Sequence, residues 1–247
     1  MVNLMIHGCL QLPPGERRIM LAKKNLRGFI LLEMAFVYFI NLIILIYAAD
    51  IIDLGHTITE KALLQVAVYL GMAGAALLIF HTGGWGKSTL GFHRNNLGQQ
   101  ILIGLGIFAV TYMVYVGVPM VFGYANLALP SWAPSSVPIL VFHIFFDLIC
   151  VGLGEEIIYR GYFYSRFRLV FRAPWVTILL TSCLFGLCHY PSTRSLVNVV
   201  TTGCLGAVYA LARHKLKNCT ILSLGIAHGF HDAAIVTLAY ILANQVA

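Results

Sequence analysis

The residues of this chain best suited to chemistry are carboxylates and imidazoles set in unusually apolar company. Of nine acidic residues, five (Glu33, Asp147, Glu155, Glu156 and Asp232) stand within long apolar runs. His143, His189, His228 and His231 stand in such runs or at their ends. Ionisable groups in lipid-like surroundings are costly and usually functional. Arg160 follows Glu156 by one helical turn, so the two share a face and pair, which offsets the cost of burying either charge. Glu155 points about 100° away on the same helix and is left free of that pairing. A free carboxylate facing an imidazole makes a water-activating pair. Phe185 and His189 also share a face, as do His228 and Asp232.

The elements that must position these groups are membrane helices. The chain is 60% hydrophobic and only 10% charged, where a soluble domain carries about 25% charged residues. A span needs about 20 apolar residues. Seven stretches qualify: roughly 28–49, 62–80, 99–122, 137–160, 174–190, 196–212 and 220–243. The fold class is therefore all-α, a polytopic transmembrane bundle of about seven spans. Residues 1–27 form a cytosolic or interfacial segment ahead of a single membrane domain over 28–247. The fifth and sixth stretches are short for a full crossing, and the fourth helix is expected to run on to about Phe167.

The net charge of +7 is not a nucleic-acid footprint, because the basic residues lie in short clusters between apolar runs. Arg17, Arg18, Lys23, Lys24, Arg27, Lys87, Arg94, Arg166, Arg168, Arg172, Arg213, Lys215 and Lys217 fall on one side of a seven-span chain. Lys61 and Arg194 alone fall on the other. That split of 13 to 2 puts the N-terminus in the cytoplasm and the C-terminus outside. The start of the chain does not read as a secretory signal, since Pro13 and Pro14 break its apolar run and the basic residues follow it. The loop Gly84–Thr89 echoes a phosphate-binding loop but has His81 where the first glycine should stand, so it reads as a connector. The six cysteines include no CxxC pair and support neither a disulfide framework nor a zinc knuckle.

Depth brings the polar residues together. Counting about 1.5 Å per helical residue from the basic turn 166–172, Glu155 stands roughly 20–25 Å up the fourth span, and His189 reaches a similar height on the fifth. His228 and Asp232 stand roughly 13–20 Å up the seventh. The site is therefore expected among spans four, five and seven. Asp147 and His143 are expected to form a hydrogen-bonded pair lining the same cavity. His231 is read as structural, and Glu33 as paired with a basic residue.

These residues resemble a known family. Glu155-Glu156-Ile157-Ile158-Tyr159-Arg160 looks like the EExxxR motif of the CPBP family, which includes type II CAAX prenyl endopeptidases, Abi proteins and bacteriocin-processing proteins. Phe185–His189 is similar to its FxxxH motif, and His228–Asp232 to its third, Hxxx followed by Asn or Asp. The resemblance covers about residues 135–243. It implies an intramembrane endopeptidase, with Glu155 as general base assisted by His189. Glu156 and Arg160 would fix the geometry, and His228 and Asp232 would hold the oxyanion side. The prenyl endopeptidases carry Asn where this chain has Asp232, which favours the broader bacterial branch. Asp232 then either donates a proton-bearing oxygen or, ionised, orients His228.

The expected partners are the bilayer and a membrane-associated peptide or protein substrate, with no nucleic acid. The expected location is a bacterial or archaeal plasma membrane. No cofactor is expected; the alternative is zinc held by Glu155, His189 and His228. Two other functions stay open: a secondary transporter or proton carrier, and a non-catalytic immunity or scaffold protein of the same fold. The crowding of polar residues into the C-terminal half argues against the paired repeats of a transporter.

Overall fold

The computed structural model describes residues 14–82, 90–124 and 129–245, with side chains from residue 26 onward. The Gly84–Thr89 loop lies outside the described residues, as does the start of the N-terminal segment. Among the described residues nine helices follow one another: α1 Pro14–Ile46, α2 Ala48–Asp53, α3 Ile58–Thr82, α4 Leu97–Val121, α5 Val137–Val170, α6 Pro174–Leu187, α7 Tyr190–Thr193, α8 Leu196–Lys215 and α9 Ile221–Gln245. No strand occurs among the described residues.

Among the described residues six segments are long and apolar enough to cross a bilayer: Leu26–Ile46 of α1, Ile58–His81 of α3, and α4, α5, α8 and α9. The remaining stretch, 174–190, forms only the 14-residue α6. At about 1.5 Å per residue α6 rises about 21 Å, short of a hydrocarbon core of about 30 Å. Pro191 explains the early end, because its ring clashes with the carbonyl one turn back, at Leu187. The chain therefore leaves the helix at Cys188–His189. A break at such depth is tolerated where it is packed in protein or lines a polar cavity.

Two helices organise the interior. α9 is the central one: 56% of its most apolar window is buried, against 22–28% for the other five spans. α5 packs along it with almost no side chain between them. A Cβ at Gly152 would lie 2.4 Å from the Gly229 nitrogen and 2.7 Å from the Gly225 carbonyl, so only glycine permits this contact. Gly225 and Gly229 thus act as the small-residue notch that lets membrane helices approach closely. The other side of α5 meets α1, α3 and α6 in a cluster that includes Met34, Phe80, Tyr162, Phe163 and Phe185.

A buried ion pair locks α1 onto this core. Arg166 Nη2 lies 2.8 Å from Glu33 Oε1, and the Tyr162 hydroxyl donates to the same oxygen at 2.8 Å. Glu33 therefore has its basic partner inside the bundle.

Candidate functional site

The glutamates sit at the middle of α5, where its backbone is irregular. Asp147–Leu153 and Ile157–Phe163 are π-helical and flank the single α-turn Gly154–Glu156. Such widened turns are rare and recur at functional sites, since they re-aim side chains that a regular helix would point elsewhere.

Glu156 and Arg160 form the buried base of the cluster. Both side chains have 0% exposure, and Arg160 Nη1 donates to Glu156 Oε1 at 2.8 Å. The guanidinium lies 4.2 Å from the centre of the Phe185 ring and 5.5 Å from that of Tyr209. A Cβ at Gly206 would stand 2.7 Å from Arg160 Nη2, so that glycine makes the room for it. Two aromatic faces and one carboxylate thus replace water around the cation.

His228 joins α9 to this base. Its Nδ1 lies 3.1 Å from Glu156 Oε1, and its Nε2 lies 3.3 Å from Asp232 Oδ2 and 4.0 Å from Glu155 Oε2. One imidazole therefore faces three carboxylates, and both its nitrogens are engaged. Glu155 is different: where Glu156 Oε1 holds both Arg160 and His228, its own nearest ionic partner is His228 at 4.0 Å, and its buried Oε2 makes no hydrogen bond to any described residue.

His189 approaches from the end of α6. Its Nδ1 lies 2.8 Å from the Phe185 carbonyl. A carbonyl only accepts, so Nδ1 carries a proton and Nε2 is the nitrogen left for the site. The His189 and His228 rings stand edge-on to the same Phe185 ring, at 4.9 Å and 5.6 Å between centres. Glu155 is among the groups acting electrostatically on both histidines. The three sequence motifs thus meet around Phe185, and the six residues Glu155, Glu156, Arg160, His189, His228 and Asp232 lie in one cluster.

One expectation about neighbouring residues changes. The hydrogen bond between His143 and Asp147 is not formed. His143 instead packs on Trp132, 4.8 Å between ring centres, while the helix widens from Asp147 onward and Asp147 interacts electrostatically with Asp232, His228 and Glu155. His231, as expected of a structural residue, turns away from the cluster, with its ring 5.9 Å from that of Tyr112. Spans two and six also contribute, which the sequence did not signal. Tyr69 of α3 is under the influence of Glu155, and the Tyr209 ring of α8 stands 5.6 Å from His228.

The zinc alternative fits this arrangement poorly. No group of three His, Cys, Asp or Glu side chains among the described residues is disposed to hold a metal ion. A zinc ligand needs a free imidazole nitrogen, whereas Nδ1 of His228 faces Glu156 and its Nε2 faces Asp232.

Fold and cluster together define a polytopic helical membrane protein with a buried carboxylate–imidazole centre. Residues 137–234, which contain that centre entire, match the family model described as Type II CAAX prenyl endopeptidase Rce1-like. That region of the chain is thus similar to the Rce1-like family. No curated protein and no solved structure matches the chain. The family supports a membrane peptidase acting on a protein or peptide.

Proposed function

We propose that this protein is an intramembrane endopeptidase that cleaves a membrane-associated or lipid-modified protein or peptide with water activated by Glu155. The observation that carries this is the state of Glu155: a carboxylate with an unpaired buried oxygen and no ionic partner closer than His228 at 4.0 Å, beside a glutamate whose charge is already matched by Arg160. A buried polar oxygen without a partner costs about 1–3 kcal/mol. A water donating to it is the natural occupant.

In this scheme Glu155 takes a proton as the water oxygen bonds to the scissile carbonyl carbon, and the carbonyl electron pair moves to oxygen. Collapse of the tetrahedral intermediate breaks the C–N bond, and Glu155 returns the proton to the departing amine. His189, through Nε2, helps hold the water. Glu156 and Arg160 set the position of His228, and His228 with Asp232 borders the oxyanion side. No step requires a metal. The Lys/Arg distribution supports a cytoplasmic N-terminus and an outside C-terminus.

The test uses full-length protein in nanodiscs with two internally quenched peptides of one sequence ending in Cys and an aliphatic tripeptide, one S-farnesylated and one not. Cleavage of either, abolished in Glu155→Gln, is the expected result. Equal background rates for the wild type and Glu155→Gln on both peptides refute the proposal. Preference between the peptides tells whether the substrate is prenylated.

A further inference from the structure

The oxyanion side of the site is short of uncommitted donors. An amide carbonyl that becomes an oxyanion needs hydrogen-bond donors aimed at it in a site that excludes water. Arg160 gives Nη1 to Glu156, and its Nε and Nη2, which have no partner, are fully buried under Phe185 and Tyr209. His228 has Nδ1 on Glu156 and Nε2 on Asp232. His189 has its Nδ1 on the Phe185 carbonyl. Asp232, if ionised, repels the oxyanion. The three motifs therefore supply a base, a water-holding His189 and their positioning, while their unpaired N–H groups, on Arg160, are sealed from the cavity.

Tyr69 fills that gap from a helix outside the three motifs. The α3 helix runs in contact with the α-turn that carries the glutamates, since a Cβ at Gly154 would meet Ala73 Cβ at 3.9 Å. Tyr69 lies one turn from Ala73 on the same face of α3. Its ring is held edge-on against Phe146, 5.0 Å between centres, directly before Asp147. Glu155 exerts the strongest electrostatic influence on its hydroxyl, ahead of Cys188, Asp147 and Asp232. The hydroxyl makes no hydrogen bond to any described residue. A phenol is also the right kind of donor here, because it is uncharged and does not collapse onto the surrounding carboxylates as a lysine would.

We infer that Tyr69 is a further catalytic residue of this site, whose hydroxyl donates a hydrogen bond to the oxyanion formed when Glu155-activated water attacks the scissile carbonyl. The assignment rests on the proposed peptidase reading. Tyr69 moves no proton: it shares its O–H with the developing negative charge and keeps it when the C–N bond breaks.

The experiment compares wild type, Tyr69→Phe and Glu155→Gln on whichever of the two quenched peptides the wild type cleaves. Phenylalanine keeps the ring on Phe146 and removes only the hydroxyl, so melting temperature is expected to stay within about 2 °C. The expected result is a fall in kcat of roughly 100-fold with KM changed less than about threefold, the signature of a lost oxyanion donor. A kcat within about threefold of wild type overturns the assignment and leaves the Glu155 reading intact. A loss carried by KM alone also overturns it, by making the hydroxyl a ground-state contact. If Glu155→Gln matches wild type, the peptidase reading fails and the role of Tyr69 fails with it.

Discussion

Removing the Arg160 guanidinium should separate the structural from the catalytic work of the cluster. In Arg160→Ala, Glu156 keeps its place at 0% exposure but loses the donor at 2.8 Å, and its Oε2 already has no partner. Only His228 remains to face it, at 3.1 Å. Breaking a buried pair from one side costs roughly 3–5 kcal/mol, because the surviving charge stays in low dielectric. The space against Phe185, Tyr209 and Gly206 empties as well, so the upper part of that range applies. On the scale of soluble domains, about 2–4 °C per kcal/mol, a loss of about 4–5 kcal/mol should lower the melting temperature by roughly 8–20 °C. The double variant Glu156→Gln/Arg160→Met removes both charges and fills most of the volume, and it should recover most of the loss. It should nevertheless remain inactive, since His228 no longer has an ionised carboxylate on Nδ1. Thermal unfolding in nanodiscs alongside cleavage of a quenched membrane peptide reads both effects. A double variant as unstable as the single one, or a single variant within about 2 °C of wild type, would refute the account of Glu156 and Arg160 as a charge-matched base.

Glu155→Gln should lower kcat by roughly 10²–10⁴ while leaving the melting temperature nearly unchanged, because the replaced oxygen makes no hydrogen bond in the fold; a folded variant with wild-type turnover would refute Glu155 as the base. Exhaustive chelation should leave cleavage intact, and loss of activity restored by zinc would overturn the metal-free scheme. Gly152→Val should force α5 from α9, since even a Cβ there would lie 2.4 Å from the Gly229 nitrogen; overpacking of this kind costs about 1–3 kcal/mol or more, and a variant with normal stability and activity would contradict the close backbone contact. Asp232→Asn removes a carboxylate 3.3 Å from His228 Nε2, so the alkaline limb of the pH–rate profile should move to lower pH; an unmoved limb refutes the orienting role and favours Asp232 as a direct donor.

The sequence by itself determined the solvent, the helices and the order of the site. Apolar runs long enough to span are unambiguous because lipid leaves the backbone no partner outside a helix. The pairing of Glu156 with Arg160, and of His228 with Asp232, was legible because i,i+4 neighbours are fixed by helical geometry alone. Three things needed the tertiary structure. The stretch 174–190 looked like a span by hydropathy, yet Pro191 cuts α6 short, and only the packing of its end shows His189 standing beside Phe185 and His228. The π-helical turns of α5 left no periodicity to read, so the expected His143–Asp147 pair is absent and Asp147 faces the cluster instead. The approach of α9 to α5 was written in Gly225 and Gly229, but which helix fills a glycine notch is decided by a distant segment, here Gly152. For the same reason Tyr69 and Tyr209 carried no local signal. Each lies in an apolar run like any packing tyrosine, and what distinguishes them is proximity to charges that are remote along the chain.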